Sequence, residues 1–405
     1  MNGAGLLGAP PSLVYADHAR ELGHAPDVGR DFIDVLQRSG LRGRGGGAFP
    51  TATKWAAVAA GKGRRRAVLA NGAEAEPAST KDRLLMTTRP HLVIDGAVIA
   101  ARSVGADDIV FYVGAAHAAA VGAMQAALAD RPESERARMS LIAAPPGYVA
   151  GEETAAVHYI NDGVALPLAV PPRPYERGVH GHPTLVNNVE TLAHVALIAR
   201  FGDAWFRGCA RNGSAGTILL TLAGDIQHPG VVEVPQGTTA ADAMRAGGGI
   251  ASGCEALLIG GYFGTWHTAA RAANTPLDAG TLKRSGDTLG CGLVHALPAR
   301  SCGVEASSLV LAYLARESAQ QCGPCMFGLR AIAGAIQRVA TFQGGDADLD
   351  HLRRWAGLIR GRGACRHPDG AANLLRSALT VFADDFAAHA RASQCIAGAA
   401  LALAG

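Results

Sequence analysis

Residues 66–77 read Arg66-Ala67-Val68-Leu69-Ala70-Asn71-Gly72-Ala73-Glu74-Ala75-Glu76-Pro77, a short apolar run that ends on an amide, a glycine and two carboxylates. Ala67 to Ala70 predicts a strand buried on both faces. Downstream, Ile94 to Val104 has helical spacing, Asp108 to Val113 reads as a strand, Ala115 to Ala129 as a helix and Met139 to Ala143 as a strand. Strands alternating with helices predict a parallel sheet covered on both faces. Upstream, Asp31 to Ser39 reads as the end of a helix, with Phe32, Val35 and Leu36 on one face and Gly40 as its stop. The Arg64-Arg65-Arg66 run just before the first strand reads as a solvated turn.

The pattern changes after Trp205. Thr217 to Ala223 and Val231 to Pro235 predict strands around a Gly-Asp…His-Pro-Gly turn, and Leu257-Leu258-Ile259 runs into Gly260-Gly261, so a small β-rich module follows the first domain. From Ala306 the helical period dominates: Leu329, Ile332, Ile336 and Val339 share a face, as do Leu352, Trp355 and Ile359, and then Leu375, Leu379, Phe382 and Phe386. That predicts a C-terminal helical bundle. A chain of 405 residues suits several domains.

Composition excludes several classes. The chain is 49% apolar, 5% aromatic and carries a net charge of +3, which marks a globular protein with no electrostatic case for nucleic acid. No stretch reaches the ~18 uncharged apolar residues of a membrane span. Met1 to Pro11 lacks the positive region of a signal peptide, so the expectation is a cytoplasmic protein without direct membrane insertion. Of the eight cysteines only Cys322 and Cys325 cluster in sequence, and clustered cysteines in a cytosolic chain point to metal or redox chemistry.

Four segments carry the functional reading. Gly43-Arg44-Gly45-Gly46-Gly47-Ala48 fits G-x-G-x-x-A but follows a helix rather than a strand; its glycines admit a phosphate to the backbone, and Arg44 and Lys54 add cationic donors. Taken alone it is equally a Gly-rich turn. Asn71 to Pro77 lies just past a strand end, where ligands of parallel sheets bind. Gly151-Glu152-Glu153-Thr154 opens a helix, where adjacent carboxylates also serve as dipole partners. Pro183 to Thr191 supplies amides and a hydroxyl, although adjacent asparagines are also turn formers. Four such segments in one α/β domain suit a flavin site.

GLRGRGGGAFPTATKW, NGAEAEPASTKDR, GEETA and HPTLVNNVETLAHV resemble the signature segments of the NADH-binding flavoprotein subunit of respiratory complex I and its soluble dehydrogenase relatives. The resemblance covers nearly the whole chain beyond the first ~25 residues, and the motifs together are specific. It implies a Rossmann-like FMN domain over 26–205 after an N-terminal segment 1–25, a ubiquitin-like β-grasp domain over 206–300 and a helical iron–sulfur domain over 301–405. It places Gly43, Arg44, Gly45, Lys54, Asn71, Glu74, Gly151, Glu152, Asn187, Asn188 and Thr191 at flavin positions, and Phe49, Glu76 and Glu153 near the nicotinamide nucleotide. The chain departs from the family in having Ala73 for Asp, Ala57 and Arg173 for two adenine-stacking aromatics, and Val170 for Lys. Each lost ring removes ~1 kcal/mol of stacking. Arg173 can stack on adenine, pair with a 2′-phosphate, or be a surface residue of its Pro-rich loop.

By the same resemblance Cys322, Cys325 and Cys365 fall on iron–sulfur ligand positions, while the first ligand of the Cys-x-x-Cys-x-x-Cys motif is Ala319. The expectation is a [4Fe–4S] cluster with an incomplete cysteine set, or a [3Fe–4S] form. Glu317, Gln321 and His367 lie near enough in sequence to supply a fourth ligand, and Cys302 could approach through folding; a lost cluster would leave three buried thiols. The function implied is hydride acceptance from NADH or NADPH with electrons passed to an iron–sulfur centre or partner, either a small [2Fe–2S] thioredoxin-like subunit or a ferredoxin. Hydride transfer needs no strong acid or base, so no catalytic side chain is expected. The alternative is an electron-transfer or assembly subunit that keeps FMN but binds no pyridine nucleotide.

Overall fold

A computed structural model describes residues 5–8, 11–63, 65–391 and 395. Arg64 of the basic run, part of the stretch to Pro11 and most of the chain after 391 lie outside the described residues. Contacts divide the chain into two compact units, the first comprising Met1–Ala75, Ser79–Leu220 and Glu233–Thr238, the second Glu76–Ala78, Thr221–Val232 and Thr239–Gly405.

In the first unit, helices α1 (Tyr15–Leu22), α2 (Phe32–Ser39) and α3 (Thr51–Ala59) precede the sheet. Phe32 and Leu36 are the buried face of α2, and Gly40 ends it in the left-handed region at φ 71, where a side chain is disfavoured. Then follow β1 (Ala67–Gly72), α4 (Lys81–Thr88), α5 (Pro90–Val104), β2 (Asp108–Gly114), α6 (Ala118–Ala129), α7 (Glu133–Arg136), β3 (Met139–Ala144), α8 (Glu153–Asp162), β4 (Thr184–Asn188) and α9 (Val189–Gly208). The sheet order is β3-β2-β1-β4, with all three pairings parallel. Two helices start elsewhere than the periodicity predicts. The α5 helix begins at Pro90, whose fixed φ suits a first turn. The α6 helix waits until Ala118 because His117 N–H closes a turn onto the Gly114 carbonyl at 2.9 Å. Leu69, Val110, Tyr112, Ala144, Ala156 and Val186 form one packed core cluster. Because β4 returns to the far side of β1, the chain switches direction across the sheet between these two strands. Their carboxyl ends are Asn71-Gly72 and Asn187-Asn188.

The second sheet contains β5 (Thr217–Gly224), β6 (Gly230–Pro235), β7 (Cys254–Ile259), β8 (Thr265–Thr268) and β9 (Leu293–Pro298), in the order β6-β5-β9-β7-β8. The β9 strand runs parallel to β5 and antiparallel to β7. Short helices α10 (Ala240–Ala246), α11 (Ala269–Ala273) and α12 (Ala279–Arg284) connect these strands. Helix α13 (Gly303–Arg316), a π-helical turn (Pro324–Leu329), α14 (Arg330–Ala340), α15 (Asp346–Ile359), α16 (His367–Val381) and α17 (Ala383–Ala390) complete the unit. Leu329, Ile332, Ile336 and Val339 are all buried, as their spacing predicts. Among the described residues no helix is long and apolar enough to cross a membrane.

Candidate functional site

The glycine segment between α2 and α3 is a loop closed by its own backbone. Thr51 N–H donates to the Leu41 carbonyl (3.0 Å) and Gly43 N–H to the Phe49 carbonyl (2.9 Å), while Arg42 and Pro50 form an antiparallel bridge. Arg44 N–H then donates to Thr191 Oγ1 (2.9 Å), tying the loop to the first turn of α9. A Cβ added at Gly45 would meet Asn188 Cβ at 3.1 Å, so the loop backbone presses against the end of β4.

The Arg44 side chain turns inward. Its guanidinium is buried, donates to the Thr217 carbonyl (2.9 Å) and Gln236 Oε1 (3.0 Å), and lies 3.8 Å from the Glu190 carboxylate. Burial pulls its pKa down and Glu190 works against that pull. Arg44 is therefore an internal anchor that leaves the presentation of a ligand to the glycines beside it. Sequence spacing hides this because Glu190 and Gln236 are distant in the chain.

Glu190 also accepts from Leu219 N–H (3.0 Å) and pairs with Lys81 Nζ (2.8 Å). Lys81 is buried and bonds Asp82 at 2.7 Å. Burial opposes its charge, yet Asp82 and Glu190 raise its pKa overall. Burial pushes the Glu190 carboxyl up, but Lys81, His194 and Arg44 hold it at about 2. Asp82 is raised, burial outweighing Lys81. Asp82 Oδ2 accepts from Asn188 Nδ2 (2.7 Å), which carries the network to the carboxyl end of β4. Lys81, Asp82 and Glu190 were missed by sequence reasoning; the only available signal was charge inside otherwise matching segments.

Most of the other expected flavin residues hold backbone in place. Glu74, at φ 40, accepts from Asp82 N–H (2.9 Å), Arg83 N–H (2.8 Å) and Ser79 Oγ (2.8 Å), so its left-handed conformation is fixed by the start of α4. Glu152 is the N-cap of α8, accepting from Thr154 and Ala155 N–H. Asn188 caps α9 by accepting from Glu190 N–H (2.9 Å). Asn187 Oδ1 accepts from the buried Trp55 Nε1 (2.8 Å). Asn71 Nδ2 donates to the Gly151 carbonyl (2.8 Å), joining the end of β1 to the segment before α8. A Cβ at Gly151 would reach Ala73 Cβ at 3.3 Å.

Lys54 Nζ pairs with Glu153 at 2.8 Å, and Arg173 approaches the same carboxylate at 3.8 Å. Two cations thus flank one anion, and Phe49 stands 56% exposed. Glu76 belongs to the second unit, where it accepts from Tyr262 N–H at 2.9 Å. Ala57 lies on α3.

The first unit therefore gathers its amide side chains and glycines at the carboxyl ends of β1 and β4, the position where parallel sheets bind nucleotide-like ligands. The close approaches at Gly45 and Gly151 are those a bulky neighbour would abolish. This donor set and glycine cradle fit FMN.

In the second unit, Cys322 precedes the π-helical turn and Cys325 lies in it, with Cys365 in the loop between α15 and α16. Burial pushes the Cys325 thiol up to about 12, with Cys322 and then Cys365 adding to it. That set fits thiolate ligation of an iron–sulfur cluster. Ala319 lies in an irregular segment before the π-helical turn, and Gln320 next to it has φ 52. Cys302 pairs with His389, Sγ to Nε2 3.5 Å, and Cys395. His367, for its part, places Nε2 2.7 Å from the Leu314 carbonyl.

Residues 36–197 match the model of the Nuo51 FMN-binding domain, and residues 305–389 match that of the NADH-ubiquinone oxidoreductase-F iron–sulfur binding region. The F 2 subunit of NADH-quinone oxidoreductase from Rhizobium meliloti (strain 1021) is 30% identical over 385 residues, covering 92% of this chain and 91% of that protein. The HndC subunit of the NADP-reducing hydrogenase from Solidesulfovibrio fructosivorans is 29% identical, with 92% and 79% covered. A crystal structure of NAD+-reducing [NiFe]-hydrogenase in the H2-reduced state superposes with a TM-score of 0.82 at 30% identity, over 88% of this chain and 62% of that one. The chain thus spans less than two thirds of that hydrogenase chain.

Proposed function

This chain belongs to the family of NADH-quinone oxidoreductase F subunits, and on that premise we propose that it is an NAD(P)H dehydrogenase subunit that holds FMN and an iron–sulfur cluster. The observation that carries the reading is the cradle at the carboxyl ends of β1 and β4, where Gly45 abuts Asn188 and Asn71 holds Gly151. FMN accepts two electrons together and releases them singly, which links hydride donors to one-electron carriers. Gly43 to Gly47, Asn71, Asn188 and Thr191 hold it; Arg44, Glu74, Glu152 and Asn187 keep the backbone of that cradle in place. Lys54 and Arg173, on either side of Glu153, supply positive charge for a dinucleotide phosphate, and Phe49 supplies the remaining aromatic face.

Cys322, Cys325 and Cys365 ligate the cluster, with a labile or non-cysteine fourth site. We read the second sheet as a β-grasp domain over 206–300 and the last helices as a bundle over 301–405, following an FMN domain over 26–205. The electron acceptor is a small [2Fe–2S] subunit or a ferredoxin, and the protein works in the cytoplasm.

Anaerobic stopped-flow of the purified protein tests the reading. Flavin absorbance bleaches on mixing with NADH or NADPH, more weakly than family members with both adenine-stacking aromatics. Bleaching by dithionite but by neither nucleotide at millimolar concentration would replace it with an FMN electron-transfer or assembly subunit, a reading favoured by Ala57 and Arg173 at the aromatic positions.

A further inference from the structure

Outside the cysteine set assigned to the cluster, the second unit brings together two thiols and an imidazole. The ligand atoms of Cys302, His389 and Cys395 all lie within 4.8 Å of one another. Cys302 is 2% exposed and His389 1%. We propose that Cys302, His389 and Cys395 form a binding site for one Zn2+ ion beside the start of α13.

Three features of the geometry point to a metal rather than to three buried side chains that happen to meet. The first is the histidine tautomer. His389 Nδ1 faces the Val339 carbonyl at 3.3 Å. A carbonyl only accepts, so Nδ1 carries the hydrogen and Nε2, 3.5 Å from Cys302 Sγ, presents its lone pair toward the sulfurs. An outer N–H bonded to a backbone carbonyl is the usual support of a metal-binding imidazole. The second is the fixed ring plane. Phe342 stacks on His389 with centroids 4.3 Å apart and planes inclined by 18°. The third is the place of Cys302, the N-cap of α13, where its sulfur accepts from Glu305 N–H at 3.5 Å. Burial pushes that thiol up, the helix start works against the push, and a bound metal would supply the rest of the positive charge the thiolate needs.

The ligand chemistry selects the ion. Two sulfurs and one nitrogen suit zinc, and hard oxygen-seeking ions are excluded by the absence of a carboxylate from the trio. Ligand atoms stand about 2.0–2.3 Å from zinc, so pairs of them in a tetrahedral site lie about 3.3–3.8 Å apart. The 3.5 Å between Cys302 Sγ and His389 Nε2 is already in that range. Three protein ligands leave a fourth position for water. The site uses none of Cys322, Cys325 and Cys365, so it stands or falls independently of the cluster.

The test uses the full chain, purified under reducing anaerobic conditions, given Zn2+ and dialysed, with Co2+ as a spectroscopic probe. Wild type and a Cys322→Ser/Cys325→Ser double variant are expected to retain one zinc per chain and to show thiolate-to-Co2+ charge-transfer absorption. Cys395→Ser and His389→Gln are expected to lose both signals. Zinc should also protect Cys395 of the wild type from iodoacetamide, read by peptide mass mapping, which keeps the test decisive if a variant misfolds. Four results would overturn the site: no zinc or cobalt uptake by wild type, uptake unchanged in Cys395→Ser, no protection of Cys395, or a mass two hydrogens lighter showing a Cys302–Cys395 disulfide under the reducing conditions.

Discussion

Lys81 Nζ lies 2.8 Å from the Glu190 carboxylate, and the two side chains are 3% and 0% exposed. The same carboxylate is the counter-charge of Arg44, so one anion neutralises the anchor of the glycine loop and the first residue of α4. Glu190→Gln keeps the shape and an acceptor for Leu219 N–H but strips both cations of their shared partner. Leaving a buried charge unpaired costs roughly 3–5 kcal/mol. Urea unfolding of the variant should show a loss of that order, and an unchanged midpoint would refute the shared-anion account.

Flavin retention depends on the approach of the loop to β4. With a Cβ at Gly45 already 3.1 Å from Asn188 Cβ, an indole has no room there without displacing the loop. Gly45→Trp should purify folded but colourless. The visible spectrum against protein concentration decides this, and full flavin content would remove the loop from the site.

Acid should weaken the first unit through two buried carboxylates. Asp95 pairs with His18 (2.8 Å), Arg131 (2.7 Å) and Arg200; burial pushes its pKa up, but these partners bring it down to about 2. Glu190 is held at about 2 as well. A carboxylate with a depressed folded pKa contributes stability that is complete above its unfolded value, near 4, and disappears as pH falls toward 2. Each is expected to contribute on the order of 2–3 kcal/mol at neutral pH. Thermal midpoints taken between pH 7 and pH 3 should fall below about pH 5. Asp95→Asn should flatten that fall; an equally steep fall in the variant would show that other groups cause it.

The cluster is expected to be more sensitive to oxygen than one with four thiolates, because one iron lacks a cysteine. Wild type reconstituted anaerobically should take up iron and sulfide and lose them in air, and Ala319→Cys should slow that loss. Iron and sulfide counts with EPR on both proteins check this. Uptake by Ala319→Cys alone would mean that the natural chain has lost its cluster.

The alternation of apolar runs and helical spacing made β1, β2 and β3 legible, the first two buried on both faces and β3 half-exposed, whereas β4 went unread as a strand; Gly40 marked a helix end because that position needs φ 71. The flavin segments were legible as positions. Their side-chain roles were not: Arg44 reads as a phosphate donor beside glycines, yet it turns inward to Glu190, Thr217 and Gln236. The place of Cys302 was not legible for the same reason, since only folding sets it against His389. The β9 strand went unread because nothing in its flanking sequence signals that it sits between β5 and β7.

The closed base of the glycine loop, where Leu41 and Thr51 meet across one hydrogen bond, affects more than shape. A segment tied at its mouth surrenders its conformational entropy when the chain folds, not when a ligand arrives. The binding surface is thus a mould set in advance, and a cofactor entering it loses little affinity to ordering the protein around it.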